Sequence, residues 1–149
     1  MTKVYFAAPL FSMAERVFNR RLAESLRAAA PDLDILLPQD FKPHGSFNDN
    51  RHYGLLYKGC IESLTRANAV VAILDGPDGD SGTCFEVGFA VAKNKPVVGV
   101  RTDYRASQES GTNLMLSRGC NVLINRPSFD EDFDSLAKEI VRKLKKILK

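Results

Sequence analysis

Cysteine is scarce in this chain of 149 residues: Cys60, Cys84 and Cys120 are an odd number, with no CxxC pair and no His/Cys metal spacing. That pattern excludes a disulfide scaffold, offers no zinc site, and points to reduced thiols in a cytoplasmic protein. Long apolar runs are missing as well. The longest are of strand length, too short for a transmembrane helix. The opening stretch, MTKVYFAAPLF, enters strand-like sequence at once, with neither the apolar length nor the cleavage site of a signal peptide. No GxGxxG follows the first apolar run, and there is no GxxxxGKS/T loop, so the two common phosphate cradles are absent. Histidine is nearly absent: His44 and His52 stand eight apart in a polar stretch with no third ligand nearby, and read as solvated. The charge excess is a mild +3. Much of it lies in the tail RKLKKILK, where Leu144, Ile147 and Leu148 mark an apolar stripe beside a solvated lysine face. Neither a nucleic-acid polymer nor a membrane surface is the expected partner.

What is present alternates. The length suits one domain, 1–149, able to bury its own core. An apolar run over 4–8 ends at Pro9, and a helical pattern follows over 12–30 with Val17, Leu22 and Leu26 near one face. A strand at 35–37 is closed by Pro38, and the polar stretch QDFKPHGSFNDNRHYG reads as a long loop. A helix through Leu56, Ile61 and Leu64 leads to the strand AVVAIL. A helix over 82–93, the strands KPVVGV and CNVLI, and a last helix over 129–148 complete the order. Strands that are apolar throughout and alternate with helices predict a doubly wound, five-stranded parallel sheet of flavodoxin- or Rossmann-like type. Ligands bind such sheets beyond the carboxyl ends of the strands.

One of the loops on that rim is unusual. In DGPDGDSGTCFEVGFA, residues 75–90, Asp75, Asp78, Asp80 and Glu86 fall within twelve residues. Like charges that close cost free energy unless they are solvated or used. Asp78 and Ser81 suit turn and cap positions, and Asp75 suits either a turn cap or a substrate contact. A magnesium ion on Asp75, Asp78 and Asp80 is an alternative, although the spacing is not that of a calcium loop. Glu86 fits none of the ordinary uses. It lies between Phe85 and Val87 in an otherwise apolar helix, where a carboxylate is expensive unless paired or used. The helix N-terminus nearby favours its ionised form. With Asp80 six residues earlier, the pattern is that of a glycosidic nucleophile and a helper.

VYFAAPLF, LPQD, AVVAILDGPDGDSGTCFEVGFA and TNLML occur in that order, and together they resemble the nucleoside 2-deoxyribosyltransferase family over nearly the whole chain. The resemblance implies transfer of 2-deoxyribose between the nucleobases of 2′-deoxynucleosides, with no cofactor and no metal. It implies that Glu86 attacks C1′, that Tyr5 holds and tunes Glu86, and that Asp80 binds the sugar near the leaving base. Asn113 and Met115 match the segment a neighbouring subunit contributes, with Asn113 directed at the 5′-hydroxyl. Phe11 matches an aromatic packing on the base, and Asp40 falls in the loop at the base edge. The implied partners are a deoxynucleoside, a free nucleobase and further copies of this chain.

Some members carry an aspartate as proton donor where counting back from Glu86 lands here on Cys60. That leaves the general acid open among Asp80, Asp75 and Asp40. Two other functions stay open beside the transferase. One is a hydrolase of deoxynucleoside 5′-monophosphates, for which Arg101 or Arg105 after the fourth strand would meet the phosphate, unless they form a surface ion pair with Asp103. The other is a non-catalytic nucleoside or nucleotide sensor, which leaves Glu86 without a task.

Overall fold

The computed structural model describes residues 1–41, 50–105, 111–127 and 129–149, and of residues 50 and 51 the backbone alone. The elements are β1 (Thr2–Ala7), α1 (Met13–Ala29), β2 (Leu33–Leu36), a 3-10 turn (Pro38–Asp40), α2 (Asn50–Arg66) and β3 (Ala69–Ile73). There follow α3 (Ser81–Ala92), β4 (Val97–Arg101), α4 (Leu114–Gly119), β5 (Val122–Asn125) and α5 (Phe133–Ile147). All strand pairs are parallel, in the order β2-β1-β3-β4-β5. This is the flavodoxin-like doubly wound arrangement, and the expected fold class is the observed one.

The period of two along a strand divides the core. Val4 and Phe6 of β1, with Val71, Ile73, Val98 and Val100, face α1 and α5, where Leu22, Leu26, Leu136, Ile140 and Leu144 close the layer. Tyr5 and Ala7, with Val70, Ala72 and Leu74, face the other way, against Leu64, Val87, Ala90 and Leu116. Central β3 and β4 are buried at every residue, which is why they read as unbroken apolar runs.

Caps decide where several helices begin. Ser12 and Glu15 form a reciprocal capping box at α1: Ser12 Oγ accepts from Glu15 N–H (3.1 Å) and Glu15 Oε2 from Ser12 N–H (2.6 Å). Asp132 caps α5 by accepting from Ser135 N–H, so that helix starts at Phe133 and not at Phe129. Phe129 instead lies exposed and stacks on Tyr104, with ring centroids 4.6 Å apart.

Three expectations are corrected. Val17 does not join the packed face of α1. It is 45% exposed, and Asn19 is buried in that helix, its Nδ2 donating to Pro9 O and Gln39 Oε1. The polar stretch at 39–54 is not all loop, because α2 already begins at Asn50. His52 is buried rather than solvated, since it sits within the first turn of α2 with its ring edge-on to Tyr53. His44 lies outside the described residues.

Candidate active site

Three of the four clustered carboxylates hold the loop that carries them. Asp75 Oδ1 accepts from Thr102 N–H (2.6 Å) and Asp103 N–H (3.0 Å), and its Oδ2 from the Thr102 hydroxyl (2.6 Å). It ties the end of β3 to the start of the loop after β4, as its turn-cap reading requires. Asp78 Oδ1 accepts from Gly79 N–H (2.9 Å). Asp80 is the N-cap of α3: its Oδ2 accepts from Thr83 N–H (2.8 Å) and the Thr83 hydroxyl (2.9 Å). Among the described residues, no group of three His, Cys, Asp or Glu side chains gathers to hold a metal ion.

Glu86 is different. It stands in the second turn of α3 and reaches back to β1, where the Tyr5 hydroxyl donates to its Oε1 at 2.5 Å. Tyr5 is fully buried on the same side of the sheet as α3. Burial raises the Glu86 carboxyl to about 7, the nearby Asp80 charge pushes the same way, and the Tyr5 hydrogen bond opposes both. Burial likewise drives the Tyr5 hydroxyl well above the ordinary phenol range, reinforced by the charge of Glu86. Around neutrality, then, the tyrosine is always a donor and the glutamate is divided between its two forms.

Cys60 of α2 also reaches this pair. Its thiol interacts with the Tyr5 hydroxyl, and burial, with the Glu86 charge, raises it above the usual thiol range, against the lowering effect of the Tyr5 contact. A thiol so placed stays protonated at neutral pH and is a poor nucleophile.

The remaining candidates frame the rim. Phe11 follows β1 and is 75% exposed. Asp40, at the end of the 3-10 turn after β2, is exposed and pairs with Arg27 at 3.4 Å. Asn113 caps α4, its Oδ1 accepting from Met115 N–H (2.9 Å), and Met115 is 78% exposed. Between them α4 is seated by Leu116, which is buried and packs so tightly on the acidic loop that a Cβ at Gly79 would come within 2.7 Å of it. Within the described residues the structure therefore joins Tyr5, Glu86, Asp80 and Cys60, while Glu86 has no hydrogen bond to Phe11, Asp40, Asn113 or Met115.

The arginines at the end of β4 and just beyond it are both engaged. Arg105 pairs with Asp103 at the surface, the Nη2–Oδ2 distance being 2.5 Å. Arg101 is buried, and its guanidinium donates to the carbonyls of Leu74, Gly76 and Arg105. Sequence reasoning placed Arg101 only as a surface or phosphate-binding cation. The signal for its burial was its place as the last residue of a strand without a single exposed position.

With this geometry in place, comparison with known proteins is informative. The model of the family Nucleoside 2-deoxyribosyltransferase matches residues 4–115, well over half of the chain and the whole span from β1 to the start of α4. The chain belongs to that family. A nucleoside deoxyribosyltransferase from Limosilactobacillus fermentum is 26% identical over 144 residues, covering 89% of this chain and 86% of the relative. A conserved protein from Enterococcus faecalis is 28% identical with a TM-score of 0.73, covering 96% of this chain and 99% of that one. The 2-deoxyribosyltransferase of Bacillus psychrosaccharolyticus shares the fold (TM-score 0.72, 21% identity, covering 91% and 90%). The sheet, the acidic loop and the Glu86 helix are thus those of a nucleoside 2-deoxyribosyltransferase-family enzyme. No helix among its described residues is long and apolar enough to cross a membrane.

Proposed function

We propose that this enzyme transfers 2-deoxyribose from one nucleobase to another through a covalent ester on Glu86. The observation that carries the proposal is the buried Tyr5–Glu86 hydrogen bond, which occupies Oε1 and leaves Oε2 for the sugar. In the first half-reaction Oε2 attacks C1′ and the bond from C1′ to the base nitrogen breaks. The bonding pair leaves with the base, which takes up a proton. In the second, the nitrogen of the incoming base attacks C1′, the ester C–O bond breaks, and the Glu86 carboxylate is regenerated as the base loses its N–H proton. Phe11 packs on the base, and Asp40 and Met115 lie at its edge and rim. Asp80 acts on the sugar beside the leaving base. Among the three aspartates considered as acids, it is the one close enough to influence Glu86. Asp75 is committed to Thr102 and Asp103, and Asp40 is paired with Arg27.

The described residues favour a substrate with a free 5′-hydroxyl over a 5′-monophosphate, because Arg101 and Arg105 already serve carbonyls and Asp103. Incubation with deoxyadenosine and free cytosine should yield adenine and deoxycytidine on chromatography. Release of a base only from a deoxynucleoside 5′-monophosphate would establish the hydrolase instead. Binding without turnover of either substrate would leave a sensor.

The site is completed, in this proposal, by a second copy of the chain. Leu114 and Met115 are exposed on α4 beside Asn113, and apolar side chains gathered on a rim helix suit an interface. Asn113 then reaches the 5′-hydroxyl in the neighbour's pocket. Glu86→Ala and Asn113→Ala proteins, each of low activity, should regain activity when dissociated, mixed and reassembled. In a two-fold dimer half the assemblies are mixed and one of their two sites is intact, giving about a quarter of wild-type activity. A fully active monomer in light scattering would remove the shared site and leave the Glu86 chemistry standing.

A further inference from the structure

Among the described residues Arg101 is the largest sealed side chain, at 1% exposure, and none of its hydrogen-bond partners there is a carboxylate. Burying a guanidinium on carbonyls alone is costly, and an aliphatic side chain would close the end of a strand with less penalty. What the guanidinium does is gather chain segments. One Nη1 donates to Leu74 O (2.6 Å) at the end of β3 and to Gly76 O (3.1 Å) at the entrance to the acidic loop. Nη2 donates to Arg105 O (2.6 Å) in the loop after β4. Among the described residues Nε has no partner, and it lies under Gly111, where a Cβ would sit 2.8 Å from Nε and 3.4 Å from Cδ. Gly111 has φ +81°, so the chain crosses the guanidinium in a conformation that favours glycine, and does so two residues before Asn113. Thr112, between them, is buried, and its hydroxyl too has no partner among the described residues.

We infer that Arg101 is a positioning residue: one planar fork, fixed at the end of β4, sets the relative placement of the acidic loop that presents Asp80 and of the segment that presents Asn113. The inference rests on the proposed reaction, in which Asp80 meets the sugar in its own chain's site and Asn113 meets the sugar in the neighbour's, so that one fork serves both sites. Gly76 N–H donates to Asp103 Oδ2 (2.8 Å), and Asp75 binds Thr102 and Asp103, so the acidic loop and the β4 loop are already tied on one side. Arg101 spans from that tie to Gly111. Glu86 and Tyr5 are held separately, by the packing of α3 and β1 on the sheet. Loss of the fork should therefore weaken sugar binding and leave the bond-breaking pair in place.

The test compares Arg101→Met, Arg101→Lys and Gly111→Ala with the wild type, in the assembled enzyme, with deoxyadenosine as donor and cytosine as acceptor. In Gly111→Ala the new methyl meets a guanidinium that three carbonyls pin, so one of the two must move. Arg101→Met and Gly111→Ala should each raise KM for deoxyadenosine about tenfold or more, with kcat at saturation within about threefold of wild type. Arg101→Lys, whose Nζ still reaches carbonyls at the strand end, should recover part of that loss. A merely structural role would lower the active fraction, and so kcat, while leaving KM where it was. KM within about twofold of wild type, in whichever of Arg101→Met and Gly111→Ala melts cooperatively, overturns the inference. A folded wild type that turns over no deoxynucleoside overturns the proposed reaction, and the inference with it.

Discussion

Glu86→Ala should abolish deoxyribosyl transfer, with a fall in kcat of about a thousandfold or more, corresponding to roughly 4 kcal/mol of barrier. The size follows from the mechanism: without Glu86 Oε2 there is no ester, and a single displacement by the second base would need both bases around C1′ at once. The sugar should no longer be trapped on the protein, and ping-pong kinetics should vanish with it. The fold should survive. A carboxyl raised to about 7 by burial is one whose ionisation the folded state disfavours, so removing it relieves a penalty present above that pH. The melting transition of the variant at pH 8 should therefore equal or exceed that of the wild type. Activity within tenfold of normal in the folded variant would refute the nucleophile assignment.

Tyr5→Phe should shift the pH profile more than it damages the fold. In the proposed reaction attack requires ionised Glu86, so kcat/KM should fall as pH drops through the Glu86 titration near 7. What bears on that titration is burial first, then the Tyr5 hydroxyl and the Asp80 carboxylate. Among them only Tyr5 lowers it, by donating to the charged form. A hydrogen bond to a charged group is worth about 1.5–3 kcal/mol, so its loss should move the acid limb upward by about one to two pH units. Below neutrality the variant should lose roughly ten- to a hundredfold in kcat/KM, and much of the deficit should disappear by pH 9. A uniform loss at every pH, with the acid limb unmoved, would reduce Tyr5 to a packing residue.

The strands were legible because a parallel sheet covered on both faces demands apolar residues at every position, as β3 and β4 show. Glu86 was legible for the opposite reason, as a carboxylate in a helix otherwise fit for the core. Its partner was not. Tyr5 lies 81 residues away, and no spacing rule joins a β1 tyrosine to an α3 glutamate, so that pairing came from resemblance alone. The start of α2 was hidden because its first turn is polar and follows a run of loop-forming residues. Arg101 was misjudged for a physical reason as well. A sequence records a charge, whereas carbonyls that satisfy it come from loops distant in the chain. The partners of Asp75 were equally out of reach of the sequence, since both its oxygens accept from the β4 loop some 27 residues on.

The separation of Tyr5 from Glu86 also bears on how the molecule acquires its activity during folding. The two meet only after β1 has paired with β3 and α3 has docked on that central pair, which are among the longest loop closures in the chain. An amino-terminal fragment that ends before residue 86, or a carboxyl-terminal one that begins after residue 5, lacks one of the two groups. Among the described residues, the outer strand β5 and the helix α5 add no side chain to the dyad. During refolding, formation of the Tyr5–Glu86 hydrogen bond thus reports the closing of the central sheet rather than the compaction of the whole chain.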